Sequence, residues 1–297
     1  MKRKLFLSLL LALTAAISLN GQGRLAKHVV FIGLDGWAAN TFHKSDMPFV
    51  KNLAEEGAIS MEKRAVLPSA SAINWATIFM GVGSDVHGYL TWGSKTPDMR
   101  QPSGVVEKNG IFPTIFQIAR DQHPKANLAV FASWDVIKHL VDSLSLDTFG
   151  SYPDRDMVSR TVEYLNANKP ELMAVIFDDP DHTGHQHGWG SAEYYETMRR
   201  LDGYIADIFK GLEEAGMIDD TMVIITGDHG GIDKGHGSTS MSEVESPIVI
   251  WGKGVKKGTE ITDMVMGYDV APTIARALGL KTPAQWRGKA ITRALKK

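Results

Sequence analysis

The sequence predicts an α/β fold, with a mostly parallel central sheet covered by helices on both faces. Three observations carry this expectation. Short apolar runs rich in Val and Ile recur at 27–34, 59–66, 128–132, 172–177, 222–225 and 247–252. Segments of helical spacing alternate with them. The strongest runs are apolar throughout, as strands buried on both faces are.

The first run, ending Phe31-Ile32-Gly33-Leu34, delivers Asp35-Gly36-Trp37 at its carboxyl end, where sites gather in open α/β sheets. Asp-Gly is also an ordinary turn pair. Residues 47–57 have Phe49, Val50 and Leu53 at helical spacing and a closing Gly57, which predicts a helix. The run at 59–66 leads into Pro68, Ser69 and Ser71, then a helix-like stretch closed by Gly81. A hydroxyl at a helix start caps the helix, and it is also placed to act as a nucleophile toward a bound phosphate. Helices are predicted at 112–122, 134–141, 157–166, 192–215 and 268–279. The strand at 172–177 runs into Asp178-Asp179-Pro180-Asp181-His182-Thr183-Gly184-His185. That at 222–225 runs into Thr226-Gly227-Asp228-His229-Gly230, with His236 shortly after. No internal repeat, low-complexity stretch or linker interrupts residues 23–297, which predicts a single domain.

The N-terminus reads as a separate piece. Met1-Lys2-Arg3-Lys4 is basic, residues 5–19 are apolar and leucine-rich, and small or polar residues follow. That is the pattern of a secretory signal peptide over residues 1–22, and it predicts a periplasmic or secreted protein without stable membrane insertion after signal removal. The apolar run is short for a full membrane span. With no cysteine in the chain there is no disulfide and no lipoprotein thiol. An apolar fraction of 43% and a charged fraction of 22% are those of an ordinary globular protein. A net charge of -2 offers no basic field for a nucleic acid polymer. None of this sets an oligomeric state.

Asp181 and His185 are four residues apart, so on a helical turn they point the same way. Together with Asp35, Asp228, His229 and His236 they put ligand-type side chains at three strand ends. Singly, each has an ordinary explanation as a solvated or core residue. Jointly they predict two cation sites, which at a spacing of about 3.5–4 Å clamp the attacking and leaving oxygens of an in-line phosphoryl displacement.

On these motifs the chain resembles the alkaline phosphatase superfamily, in particular its nucleotide pyrophosphatase/phosphodiesterase (type I phosphodiesterase) branch. Leu34-Asp35-Gly36, Ser71 with His87-Gly88, Pro180-Asp181-His182-Thr183-Gly184-His185, Gly227-Asp228-His229-Gly230 and His236 occur in the family's order. Asp269-Val270-Ala271-Pro272-Thr273-Ile274 and Leu278-Gly279-Leu280 extend the likeness toward the C-terminus. The resemblance implies an alkaline phosphatase-like fold and two divalent metal ions, zinc in this family. One ion would be held by Asp181, His185 and His236, the other by Asp35, Asp228, His229 and the nucleophile oxygen. His182 and His187 are expected beside the ligands or exposed rather than coordinating. The family's nucleophile lies sixteen residues before the His-Gly pair, which selects Ser71 over Ser69 and implies a covalent phosphoserine intermediate.

One position departs from the family. An asparagine that holds a non-bridging phosphate oxygen is expected where this chain has Trp92. Asn74, a helical turn beyond Ser71, is the expected substitute, and Trp92, with Trp37 and Trp75, is a candidate surface for a base or aryl group; core packing is the competing role. The function expected is hydrolysis of small, nucleotide-type phosphodiesters or pyrophosphates. A phosphomonoesterase is the nearest rival: it needs extra cations, for which only Arg64, Lys95 and Arg100 are candidates. A sulfatase is disfavoured because the motif that generates formylglycine is missing. A non-catalytic exported binding protein that keeps the fold is the remaining alternative.

Overall fold

The structure is a computed structural model that describes residues 23–101 and 110–297. The expected signal segment, 1–22, lies outside the described residues. The sheet has nine strands: β1 (His28–Asp35), β2 (Ala58–Arg64), β3 (Leu128–Ala132), β4 (Thr148–Ser151), β5 (Leu172–Pro180), β6 (Thr221–Thr226), β7 (Glu245–Gly252), β8 (Thr259–Glu260) and β9 (Val265–Met266). Their order is β4-β3-β5-β1-β6-β7-β2-β8, with β9 also paired to β2. Only β7 runs against the rest, because the loop leaving β6 returns directly rather than through a crossover helix.

Among the described residues, seven helices of seven or more residues cover this sheet: α1 (Pro48–Glu56), α2 (Ser71–Met80), α3 (Ile115–Gln122), α4 (Asp154–Asn168), α5 (Asp181–His187), α6 (Ala192–Glu214) and α7 (Val270–Leu278). Side chains of β1 alternate between the two faces, as the period of a strand requires. Val29 and Phe31 join a core with Trp75, Phe79, Phe116 and Ile274 from α2, α3 and α7. Val30, Ile32 and Leu34 join the other core, with Val50, Met157, Leu201 and Ile205 from α1, α4 and α6. The expected α/β fold is therefore the one observed. No helix of the described residues is long and apolar enough to cross a membrane.

Two expected elements differ, and three short strands, β4, β8 and β9, were not expected. Residues 134–141 form only a 3₁₀ turn, Asp135–His139, and Trp134 before it stays half-buried, packed against the edge of the core. Helix α3 begins later than expected, where Thr114 caps it by accepting from the Gln117 amide at 3.2 Å. Strand β4 has four residues and ends the sheet, too short for a clear pattern.

Strand order positions the site. β1 lies between β5 and β6 and pairs in parallel with both, so the carboxyl ends of three successive neighbours fall side by side. Asp35, Asp181 and Asp228 follow from those ends. Strand β2 points the same way and leads into Ser71.

Candidate active site

Ser71 is the first residue of α2. Ala70 occupies the cap position, and no side chain caps this helix, so the Ser71 hydroxyl is not spent on capping. It donates to Asp35 Oδ1 at 3.3 Å and lies 3.1 Å from His229 Nε2. Ser69, by contrast, is tied to the loop after His236: its Oγ donates to the Ser238 carbonyl at 2.8 Å and accepts from the Gly237 amide at 3.2 Å.

Asp35 is held from behind. Trp75 Nε1 donates to its Oδ2 at 3.0 Å. This bond needs Gly33, since a Cβ there would stand 2.5 Å from the Trp75 ring. Trp75 and Trp37 are both fully buried, so the packing role holds for them. Gly36 has φ +68°, and a Cβ on it would sit 2.9 Å from Asp181. That glycine both makes the turn after β1 and admits the Asp181 carboxylate.

The ligand-type side chains converge. His229 Nε2 is 3.5 Å from Asp35 Oδ1 and 3.3 Å from Asp228 Oδ2. His185 Nε2 and His236 Nε2 lie 3.3 and 3.4 Å from the Asp181 oxygens, and 3.1 Å from each other. Two groups have donor atoms close enough to share an ion: Asp181, His185 and His236, and Asp35, Asp181 and His229. Asp181 belongs to both, which the sequence reading did not anticipate.

The donor set fits divalent cations. Each histidine places Nδ1 against a backbone carbonyl: His185 on Lys234 at 2.9 Å, His229 on Gly230 at 2.7 Å, and His236 on Ser69 at 2.9 Å. With Nδ1 donating there, the neutral ring turns the lone pair of Nε2 inward, the arrangement found around metal-binding histidines. Asp181 Oδ1 and Asp228 Oδ2 are buried without a hydrogen-bond partner. Three inward lone pairs and two orphaned carboxylate oxygens call for positive charge between them.

Electrostatics agree. Burial, then the fields of Asp228 and Asp181, push the Asp35 pKa well above the usual carboxylate range. Burial pushes Asp228 up to about 7. Burial also pushes Asp181 up, but a hydrogen bond with His185 and the fields of His229 and His236 outweigh it and hold the group low. Burial pulls His229 and His236 down, which favours the neutral, ligand-competent ring.

Asn74 does not stand in for the missing asparagine. It is fully buried, accepts from the Val66 amide at 2.7 Å, and donates to the carbonyls of Val66, Pro68 and Ala70 at 3.1–3.2 Å. A helical side chain points back toward the helix N-terminus, so Asn74 staples the loop that delivers Ser71 instead of facing a ligand.

A cavity of ≈ 870 Å³ opens over these residues, lined among others by Ser71, Asp35, Asp181, His185 and His236. Its far wall carries Trp92, which is 68% exposed and stacks on Trp134 with ring centroids 6.2 Å apart. Trp134 was missed in the sequence because the segment it opens reads as helix. Asp178 and His182 also line the cavity, whereas His187 faces Glu193 at 3.8 Å. No lysine or arginine lines it among the described residues. Arg64 is paired with Glu245 at 3.1 Å.

Fold and site define an alkaline phosphatase-like α/β protein whose strand-end carboxylates and imidazoles surround a serine hydroxyl. Residues 29–239 match the family described as type I phosphodiesterase / nucleotide pyrophosphatase, and the chain belongs to that family. Human ectonucleotide pyrophosphatase/phosphodiesterase family member 1 is 22% identical over 275 residues, covering 86% of this chain and 30% of that protein. The bis(5'-adenosyl)-triphosphatase enpp4 of Mus musculus is 25% identical, over 71% of this chain and 48% of that one. The chain thus spans less than half the length of these relatives. Among solved structures, murine ectonucleotide pyrophosphatase/phosphodiesterase 5, inactive and in complex with AMP, superposes with a TM-score of 0.70 at 14% identity, covering 86% of this chain and 96% of that one. A 2-O GAG sulfatase superposes with a TM-score of 0.72, also at 14% identity, over 89% and 73% of the two chains. These likenesses show the fold.

Proposed function

We propose that the chain is a two-metal phosphodiesterase that cleaves small phosphodiesters with Ser71 as nucleophile. The observation that carries this reading is the position of the Ser71 hydroxyl, within 3.3 Å of both Asp35 and His229, beside orphaned carboxylate oxygens. Asp181, His185 and His236 would hold one cation, and Asp35, Asp228 and His229 the other. The mixed nitrogen and oxygen donors suit zinc. Such ions would lower the pKa of a hydroxyl or water and offset charge gathering on phosphorus.

In the first step Ser71 Oγ forms a bond to phosphorus as its proton is lost to solvent, a loss that a cation held by Asp35, Asp228 and His229 would favour, and the ester oxygen opposite departs. On this reading the departing oxygen would face His185 and His236. In the second step water attacks the phosphoserine from the vacated side, releasing the phosphomonoester and restoring the Ser71 hydroxyl. The N-terminus of α2, a helix of ten residues, adds its dipole to the stabilisation of the phosphoryl oxygens. Asn74 acts indirectly, by fixing the 66–70 loop.

A diester is favoured over a monoester because the dianion of a monoester needs additional cations, and none lines the cavity among the described residues. The stacked indoles of Trp92 and Trp134 offer an aryl group or base a flat apolar surface. Parallel rates on bis-nitrophenyl and mono-nitrophenyl phosphate test the choice: the diester should turn over faster, and a strong monoester preference contradicts it. Metal analysis of purified protein separates an enzyme from a binding protein that keeps the fold. A metal-free chain that stays inert after zinc is added supports the latter.

A further inference from the structure

Behind the donor set lies a buried lysine. Lys63 on β2 is fully buried, and its Nζ has no hydrogen-bond partner among the described residues. An ammonium buried this way is costly unless something else repays it. Register shows where the side chain lies. Lys63 pairs with Ser246 of β7, and Thr226 of β6 pairs with Ile248. Continued two residues, the same register sets Asp228 level with Ser246. Ser246 Oγ also donates to the Gly227 carbonyl at 3.2 Å. Lys63 and Ser246 on neighbouring strands about 4.8 Å apart thus line up with Asp228 just past the end of β6.

The fields agree with that placement. Burial pulls Lys63 down to about 8 against the attraction of Asp228, and its charge is felt at His229. Lys63 does not line the cavity, so it has no route to a substrate.

We propose that Lys63 is a resident counter-charge of the metal centre, a positioning residue whose ammonium offsets Asp228 in the metal-free protein and weakens cation binding at that end. The proposal rests on the two-metal reading above. A cation bound there is left electron-poor, and the apo protein is spared three clustered carboxylates with no positive charge nearby.

The variant Lys63→Met removes the charge and keeps the length. Zinc affinity by chelator competition, and melting temperatures with and without zinc, are measured for the full chain and the variant. At least one site of the variant should bind zinc about tenfold more tightly, and zinc should raise its melting temperature by more than it raises that of the parent. Unchanged affinity with equal melting shifts overturns the proposal, since a merely structural lysine gives that result. If Lys63→Met does not fold without zinc, adding zinc should rescue it or Lys63→Gln; failure of both with zinc present also overturns the proposal. A parent chain that binds no zinc instead overturns the two-metal reading itself.

Discussion

The two halves of the donor set differ in how much water they see. Side-chain exposure is 0% for Asp228 and His229 and 3% for Asp35, against 14% for Asp181, 9% for His236 and 46% for His185. In the dry half, burial works against ionising the carboxylates, and a bound cation would favour the ionised form. In the wet half, Asp181 keeps a low pKa and His185 a raised one, each mainly through the other's hydrogen bond once burial is set against it. The dry half is therefore where a cation and the fold depend on one another. On the proposed reading, the wet half is where water and a departing oxygen would come and go.

The largest test of this difference is a pair of ligand removals. His229→Ala should cost more diester kcat/KM than the roughly 10²–10³-fold typical of losing one electrostatic stabiliser. His185→Ala should fall within that range and should leave the dry-half ion in place by metal analysis. Equal losses would erase the distinction between the halves.

A smaller effect is thermodynamic. Asp228 has a folded pKa of about 7, far above the unfolded carboxylate value, so the folded metal-free chain binds a proton there that the unfolded chain releases. The stability this gives is full below the unfolded value and is lost as pH rises through about 7. A metal ion needs the deprotonated oxygen. The rise in melting temperature on adding zinc should therefore be larger at about pH 8 than at about pH 5. A rise that does not change with pH would place the coupling outside the dry half.

The smallest effect lies on the substrate wall. Trp92→Ala should raise KM for an aryl diester by about 2- to 10-fold, the worth of one aromatic contact, with kcat little changed. A fall in kcat without a change in KM would make Trp92 part of the reacting centre rather than a surface for the leaving group.

The dry half was the more legible in sequence, for a physical reason. Asp35, Asp228 and His229 each follow an apolar run that can only be a buried strand, and their spacing from that run is rigid. What the sequence could not supply was adjacency: β1 lies between β5 and β6, and no local pattern encodes strand order. The substrate wall was least legible. Trp134 reads as the start of a helix because Val136, Ile137 and Leu140 follow at helical spacing, yet the segment closes as a short 3₁₀ turn. Asn74 was misplaced because spacing along α2 sets it near Ser71 while the direction of its side chain does not. Nothing in the run at 59–66 marks Lys63, which the structure buries between pairing with β7 on one side and β9 on the other.

The central claim is that Ser71 attacks phosphorus, and trapping its product tests this most directly. Full-length protein loaded with zinc, mixed with a nitrophenyl diester and quenched in acid, would be digested and its peptides weighed. A phosphoryl ester on Ser71, and none at that position in Ser71→Ala, is the result expected. Rapid turnover with Ser71 unmodified at every time point, or an adduct on Ser69, would contradict the account.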